Sequence, residues 1–149
     1  MELEQGISLE EALQAFDFGA APDQVERYGS GHINDTFLVV AGGVRFILQR
    51  INTHVFKKPE QVMANIVGVT EYLKQEIQKH GGDVARETLN VRKSKDGRRY
   101  FTDSQQQVWR CYDFITGTVC LQRVEKPEDF YQAAKSFGTF LRLLGDFLF

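Results

Sequence analysis

Residues 28–40 constrain the fold more than any other part of the chain. They begin with two glycines, Gly29 and Gly31, among small polar residues, and they continue directly into an apolar run with strand character. Glycine adopts positive φ values and lets the backbone approach a ligand closely. The N–H groups of such a turn can form a concave anion site, typically for phosphate. The pattern therefore predicts either a phosphate-binding loop or an ordinary turn between strands.

Two apolar runs after this loop indicate a β-hairpin. The first covers residues 37–40 and the second covers residues 44–50, with Gly42-Gly43 between them. A two-residue glycine connection is typical of the tight turns that join antiparallel strands. A further strand is expected just before the loop, after Pro22. The sequence thus predicts three consecutive strands.

Helices are expected on both sides of this three-strand unit. A short helix is predicted over residues 8–16, with Ser8 as N-cap and Glu11 completing a capping box. A long helix is predicted over residues 59–79, because apolar residues recur there at helical spacing and proline suits a first helical turn. Gly81-Gly82 is expected to end it.

The second half of the chain indicates more strands and a last helix. Strands are predicted at residues 87–92, 99–102 and 107–115, and Lys95-Asp96-Gly97 is typical of a turn between the first two. A helix is expected from Pro127, with apolar residues nearly all around its later turns. This element order predicts an α+β fold, in which an antiparallel sheet has one long helix inserted after its third strand.

Composition narrows the class of protein. With 149 residues, 42% of them hydrophobic, the chain is long enough to bury a core. A net charge of −2 argues against a broad nucleic-acid surface, and no apolar run is long enough to cross a bilayer. Cys111 and Cys120 lack the spacing of a metal site and are expected to be reduced. Together with an acidic N-terminus unlike a signal peptide, they predict a cytoplasmic protein.

A series of motifs from residue 28 onward carries a resemblance to a known family. Gly31-His-Ile-Asn34 precedes a strand, residues 109–117 combine a strand with a glycine-ended connector, and residues 133–144 form an apolar helix. Their order and spacing resemble the aminoglycoside phosphotransferase superfamily. Residues 31–36 and 47–56 are most similar to its N-acetylhexosamine 1-kinase-like sugar kinases. The resemblance implies a protein-kinase-like N-terminal lobe followed by the start of a helical second lobe.

The resemblance implies that the glycine-bearing loop lies over the phosphates of ATP. The candidate phosphate-binding residues of the loop are Gly29, Ser30, Gly31, His32 and Asn34, with His32 alternatively an exposed loop residue, and Arg50 joins them on chemical grounds. Asn34 is expected to brace the loop through a hydrogen bond to neighbouring backbone.

The cation that meets the phosphates is a lysine on the third strand in kinases. Here the candidates are Arg50 and, in a gapless match to the family, Gln49. Arg50 is preferred because a guanidinium pairs bidentately with phosphate oxygens. The helix residue that would orient this cation stays open between Asn65, which matches the position, and the nearby Glu60 and Glu71.

The resemblance also implies that adenine binds to the segment between the lobes. Backbone groups of this hinge hydrogen-bond to adenine in the family, which gives Asp113 C=O and Ile115 N–H as candidates, with Phe114 between them. Leu48 is expected either to line the adenine pocket or to belong to the core of the sheet.

The catalytic motifs of the family do not occur in the sequence. A His-Gly-Asp loop, an asparagine and a later aspartate supply the base and the Mg²⁺ ligands in the family, and neither the His-Gly-Asp motif nor an asparagine follows Gly117. Residues 80–83 read His-Gly-Gly-Asp, with an extra glycine and before the hinge. The expectation is an N-terminal portion of a longer kinase, with a nucleotide-binding lobe at residues 1–116 and the beginning of a helical lobe at residues 117–149.

The expected function is ATP binding within an ATP- and Mg²⁺-dependent kinase that phosphorylates a sugar hydroxyl, as of an N-acetylhexosamine. This portion alone is expected to be inactive and to contain no metal ligand. Its expected partners are a small sugar and the rest of its own second lobe, and neither a nucleic acid nor a membrane. The alternative is a standalone, non-catalytic nucleotide-binding or protein-interaction module, which predicts a polar last helix.

Overall fold

The computed structural model describes the chain from Glu2 to Leu148, with side chains from Ser8 onward. The elements, in chain order, are α1 (Glu2–Ala15), β1 (Pro22–Arg27), β2 (Asp35–Ala41), β3 (Val44–Ile51), α2 (Pro59–Lys79), α3 (Val84–Glu87), β4 (Phe101–Thr102), β5 (Val108–Asp113) and α4 (Pro127–Leu143). They form two compact units. The first comprises the chain up to residue 67 together with residues 89–114, and the second comprises residues 68–88 and the chain from residue 115.

The first unit is built on an antiparallel sheet with the strand order β1-β2-β3-β5-β4, so the α+β fold class is confirmed. Gly42 and Gly43 both have positive φ values, 55° and 78°. These values allow the two-residue turn that matches the twist of a β-hairpin. β3 lies at the centre and pairs with β2 on one side and β5 on the other.

The two faces of this sheet bury two separate apolar cores. We call them the α1 face and the α2 face, after the helices whose side chains complete each core. The core of the α1 face consists of Ala12, Phe16, Phe18, Val39, Ala41, Phe46, Leu48, Trp109 and Cys111. The core of the α2 face consists of Ile51, Met63, Val91, Val108 and Tyr112. Strand side chains alternate between faces, so β3 presents Leu48 and Arg50 to the α1 face and Gln49 to the α2 face.

The second unit contains the later turns of α2 with α3 and α4. Leu73 and Ile77 of α2 are buried. Gly81 has a φ of 71°, and Gly82 N–H donates to Ile77 C=O at 2.9 Å, which ends α2 as predicted. No residue of α4 is buried. α4 begins at Pro127, where the sequence predicted it.

The predicted capping box at the first helix is wrong. α1 begins at Glu2, so Ser8 lies inside the helix. Its buried hydroxyl donates to the Asp103 carboxylate, and Glu11 accepts a hydrogen bond from Ser104 N–H at 2.8 Å. Both side chains therefore hold the loop before β5 and do not cap their own helix.

The predicted strand at residues 87–92 is wrong in its extent, since no regular strand forms there. Asp83 caps the short helix α3, because its carboxylate accepts a hydrogen bond from Ala85 N–H at 3.0 Å. Within this range Val91 forms an isolated bridge to Tyr112 of β5. Beside it, Arg92 N–H donates to Cys111 C=O at 2.8 Å, and Asn90 C=O accepts from Asp113 N–H at 3.1 Å. The capped helical turn includes Glu87, the first residue of the predicted strand, and only residues 90–92 contact β5.

Candidate functional site

The glycine-bearing loop is the exposed connection between β1 and β2. Tyr28 N–H donates to Thr36 C=O at 2.9 Å and closes the hairpin below the loop. Gly29 has a φ of 79°, so a residue with a side chain would be strained there. A Cβ atom on Gly31 would meet nothing within 4 Å. The loop is thus open to solvent at the end of the sheet, and its backbone is accessible to a ligand.

Asn34 ties this loop to the end of β3. Its Oδ1 atom accepts a hydrogen bond from Asn52 N–H at 2.9 Å, directly after the strand. The bracing role expected for Asn34 therefore has a structural counterpart, although the partner is in the next connector and not in the loop itself. Ser30 and His32 are exposed in the same loop.

Arg50 lies on the α1 face and is bound to Asp35. Its Nε and Nη2 atoms donate to Asp35 Oδ2 at 2.9 and 2.5 Å, and its guanidinium carbon lies 5.9 Å from the centre of the Trp109 ring. Arg27 binds the other carboxylate oxygen at 3.2 Å. Burial tends to raise the pKa of Asp35, but the hydrogen bonds and charges of Arg50 and then Arg27 outweigh it and hold the pKa below its ordinary value. Asp35 thus remains ionised between two cations.

Gln49 lies on the α2 face in a row of polar side chains that we call the polar row: Thr36, Gln49 and Arg110. The three residues are paired across β2, β3 and β5. Gln49 Nε2 donates to Thr36 Oγ1 at 2.9 Å, and Gln49 Oε1 accepts from Arg110 Nε at 3.0 Å. Arg110 also lies 5.3 Å from the centre of the Tyr112 ring. The two candidates for the phosphate-binding position therefore lie on opposite faces of the sheet.

The predicted hinge residues have different environments. Leu48 is fully buried in the core of the α1 face, and Asp113 binds Arg92 Nε through Oδ1 at 2.5 Å. Phe114 is partly exposed and contacts the Tyr28 ring edge-on, at 5.7 Å between ring centres. Ile115 belongs to the second unit, where its carbonyl oxygen accepts a hydrogen bond from Thr118 Oγ1 at 3.4 Å.

The structure brings the start of the glycine-bearing loop together with Phe114 of the hinge. Tyr28 is hydrogen-bonded to Thr36, whose side chain is on the α2 face, and it is 43% exposed. The Arg45 guanidinium lies 4.4 Å from the centre of the Phe114 ring. The sequence reasoning did not single out Tyr28, Thr36 or Arg110. Side chains alternate along a strand, so residue 110 of β5 and residue 114, directly after it, share one face, but the strands that lie beside them depend on long-range pairing.

The residue of α2 that would orient the phosphate-binding cation stays a prediction. Asn65 and Glu60 are exposed, and Glu71 accepts a hydrogen bond from Lys74 Nζ at 3.1 Å.

Cys111 is part of the core of the α1 face. Burial raises the pKa of its thiol to about 12, so this cysteine stays protonated.

No known protein-family model matches the chain. Among the side chains that the structure describes, from Ser8 to Leu148, no three histidine, cysteine, aspartate or glutamate residues come together in a way that could hold a metal ion. Between Glu2 and Leu148, each helix is too short or too polar to cross a membrane.

Proposed function

We propose that this chain is the ATP-binding lobe of a kinase that phosphorylates a small molecule, with a sugar hydroxyl as the acceptor and an N-acetylhexosamine as the expected sugar. ATP is the nucleotide of this proposal, and the second lobe of the same protein is the expected partner. The antiparallel sheet with a long helix after its third strand is the arrangement that the family resemblance implies.

The contact between Tyr28 and Phe114 carries this proposal. A nucleotide needs one surface for its flat base and another for its phosphates, a few ångströms apart. Phe114 is the aromatic residue of the proposed hinge, and its ring lies 5.7 Å from the residue that begins the glycine-bearing loop. Aromatic rings stack readily with other rings, and backbone N–H groups of a glycine turn bind phosphate. Both features lie in the first unit, and their closeness is what supports the proposal.

The chain's own part in the chemistry is positioning. Phosphoryl transfer depends mainly on holding the nucleotide and stabilising its charge. The loop is braced by Asn34 and open to solvent, so it can wrap the phosphates without rebuilding the sheet. Asp35 follows the loop directly, but it is paired with Arg27 and Arg50 and does not fit as a ligand for Mg²⁺. We therefore assign nucleotide binding to this chain and the catalytic base and Mg²⁺ ligands to residues outside it.

The last helix favours the kinase lobe over the standalone module. The alternative expects a polar α4, whereas Phe130, Phe137 and Leu141 are 66%, 63% and 54% exposed. Apolar side chains at this exposure are a surface for further protein.

Calorimetric titration of the chain with ATP tests the proposal through a matched pair of variants. Gly31→Asp puts a carboxylate into the loop at a position with room for a side chain, and Gly138→Asp makes the same charge change in α4. Repulsion between the carboxylate and the phosphates should weaken ATP binding at least about fivefold in Gly31→Asp only. The proposal would be contradicted if the wild-type chain did not bind ATP at millimolar concentration, or if the two variants bound ATP with equal affinity.

A further inference from the structure

We propose that Arg110 of β5, and not Arg50 of β3, is the side chain that meets the phosphates of the bound nucleotide, with Gln49 as the residue that positions it. This inference rests on the proposed nucleotide-binding function and adds to it the source of the positive charge. It moves the phosphate-binding cation from the strand where kinases carry it to the neighbouring strand.

Arg50 is a poor phosphate ligand in this structure because its charge is already used. Two of its nitrogen atoms hold Asp35, and its plane lies near the Trp109 ring on the α1 face. Trp109 is buried in the core of that face together with residues of α1. Releasing Arg50 would leave the Asp35 carboxylate with only the exposed Arg27, and phosphate would have to compete with that carboxylate.

Arg110 is the opposite case, a partly buried cation without a counter-charge. Among the residues that the structure describes, no carboxylate oxygen lies within 4.0 Å of its guanidinium nitrogens. A guanidinium has five N–H donors, and among the described residues only the Nε–H of Arg110 donates a hydrogen bond, to the neutral amide oxygen of Gln49. Its one other described contact is the Tyr112 ring, which carries no charge. A cation partly removed from water is costly unless it is paired. The remaining N–H groups form the fork that binds phosphate oxygens bidentately.

The polar row also lies in the right place. Thr36 accepts the hydrogen bond that closes the hairpin at Tyr28, so the row crosses the sheet directly below the glycine-bearing loop. Neighbouring strands are about 4.8 Å apart, which puts β5 about 10 Å from β2, within the combined length of an arginine side chain and a triphosphate. The row is on the same face as Tyr28, whose ring contacts Phe114. The α2 face thus brings together Phe114, which would stack with the base, the glycine-bearing loop and the Arg110 guanidinium.

Gln49 fixes the orientation of Arg110. Its amide is held at both ends, because Nε2 donates to Thr36 and Oε1 accepts from Arg110. An amide oriented by Thr36 presents its oxygen to Arg110 and neutralises none of its charge. A glutamate or aspartate at this position would instead pair with Arg110 and cancel the charge that phosphate needs.

The test compares the affinity of the chain for ATP and for adenosine, which has the same base and no phosphate. Arg110→Gln should weaken ATP binding on the order of 10- to 100-fold, the effect of a lost charge-assisted contact, and should leave adenosine binding unchanged. Arg50→Gln is the matched control and should leave the ratio of the two affinities unchanged. Thermal melting of each variant shows whether it is folded.

A double variant that moves the positive charge to a neighbouring strand distinguishes loss of the charge from damage to the sheet. Gln49→Lys in the Arg110→Gln background moves the cation to the paired residue of β3, and it should restore ATP affinity to within about fivefold of the wild type.

The inference would be overturned if Arg50→Gln lost the preference for ATP over adenosine and Arg110→Gln kept it. An Arg110→Gln variant with wild-type ATP affinity would also overturn it. A wild-type chain that binds adenosine and ATP equally would overturn the inference while leaving a base-binding site. A wild-type chain that binds neither would overturn the proposed function, and with it this inference.

Discussion

At the scale of single residues, one position along β3 decides which chemistry a side chain can serve. Arg50 and Gln49 are adjacent, yet one lies over Trp109 beside Asp35 and the other lies between Thr36 and Arg110. A shift of one residue in a strand moves every side chain to the other face. Both residues were candidates from the sequence. The sequence could not show which of them lies on the nucleotide-binding face, because that depends on which helix covers each face of the sheet.

The ion pair of Asp35 predicts an acid-dependent contribution to stability. The pKa of Asp35 is lower in the folded chain than its ordinary value of about 3.9, so the stabilisation is complete above about pH 5 and is lost as the pH falls through the lower folded-state value. Asp35→Asn should reduce the free energy of unfolding by about 1 kcal/mol or less at neutral pH, because the pair is partly solvated.

Denaturant unfolding of the wild type and Asp35→Asn between pH 7 and pH 2.5 checks this prediction. The difference between the two proteins should be constant from pH 7 to about pH 5 and should shrink at lower pH. A difference that stays constant down to pH 2.5 would mean that the ionised carboxylate does not stabilise the fold.

At the scale of elements, local signals predicted the turns and the helix ends well. The Gly42-Gly43 turn, the proline starts of α2 and α4, and the glycine end of α2 occur where the sequence placed them. These features depend on backbone conformations that only a few residue types adopt. Ser8 failed as a cap because its hydroxyl has a distant partner, Asp103, which the local sequence cannot reveal.

The two kinds of glycine in the hairpin unit predict different costs of substitution. Gly43 has a φ of 78°, whereas Gly31 lies outside the positive-φ region, and a Cβ atom would meet nothing within 4 Å at either position. Gly43→Ala should therefore destabilise the chain by about 1 kcal/mol through backbone strain alone, and Gly31→Ala should have no measurable effect. Thermal melting should show a decrease of about 2–4 °C for Gly43→Ala only. Equal melting temperatures for the two variants would contradict the strain argument.

At the scale of the whole molecule, the α+β class was predictable from element order, and the assembly of the site was not. The hairpin, the long helix and the central strand at residues 107–115 give the class. The polar row combines side chains from β2, β3 and β5, which are distant in sequence and meet only through strand pairing. Tyr28 and Phe114 likewise lie far apart in sequence, in the two separate segments of the first unit. Sequence patterns report local geometry, whereas this candidate site is made of long-range contacts.

The most direct test of the account is a two-dimensional amide NMR titration of the labelled chain with ATP. We predict saturable chemical-shift changes at Gly29, Gly31, Gln49, Arg110 and Phe114, with no change in α1, which covers the opposite face of the sheet. Shifts confined to α4, or an unchanged spectrum at millimolar ATP, would contradict the claim that the glycine-bearing loop and the α2 face of the sheet bind a nucleotide.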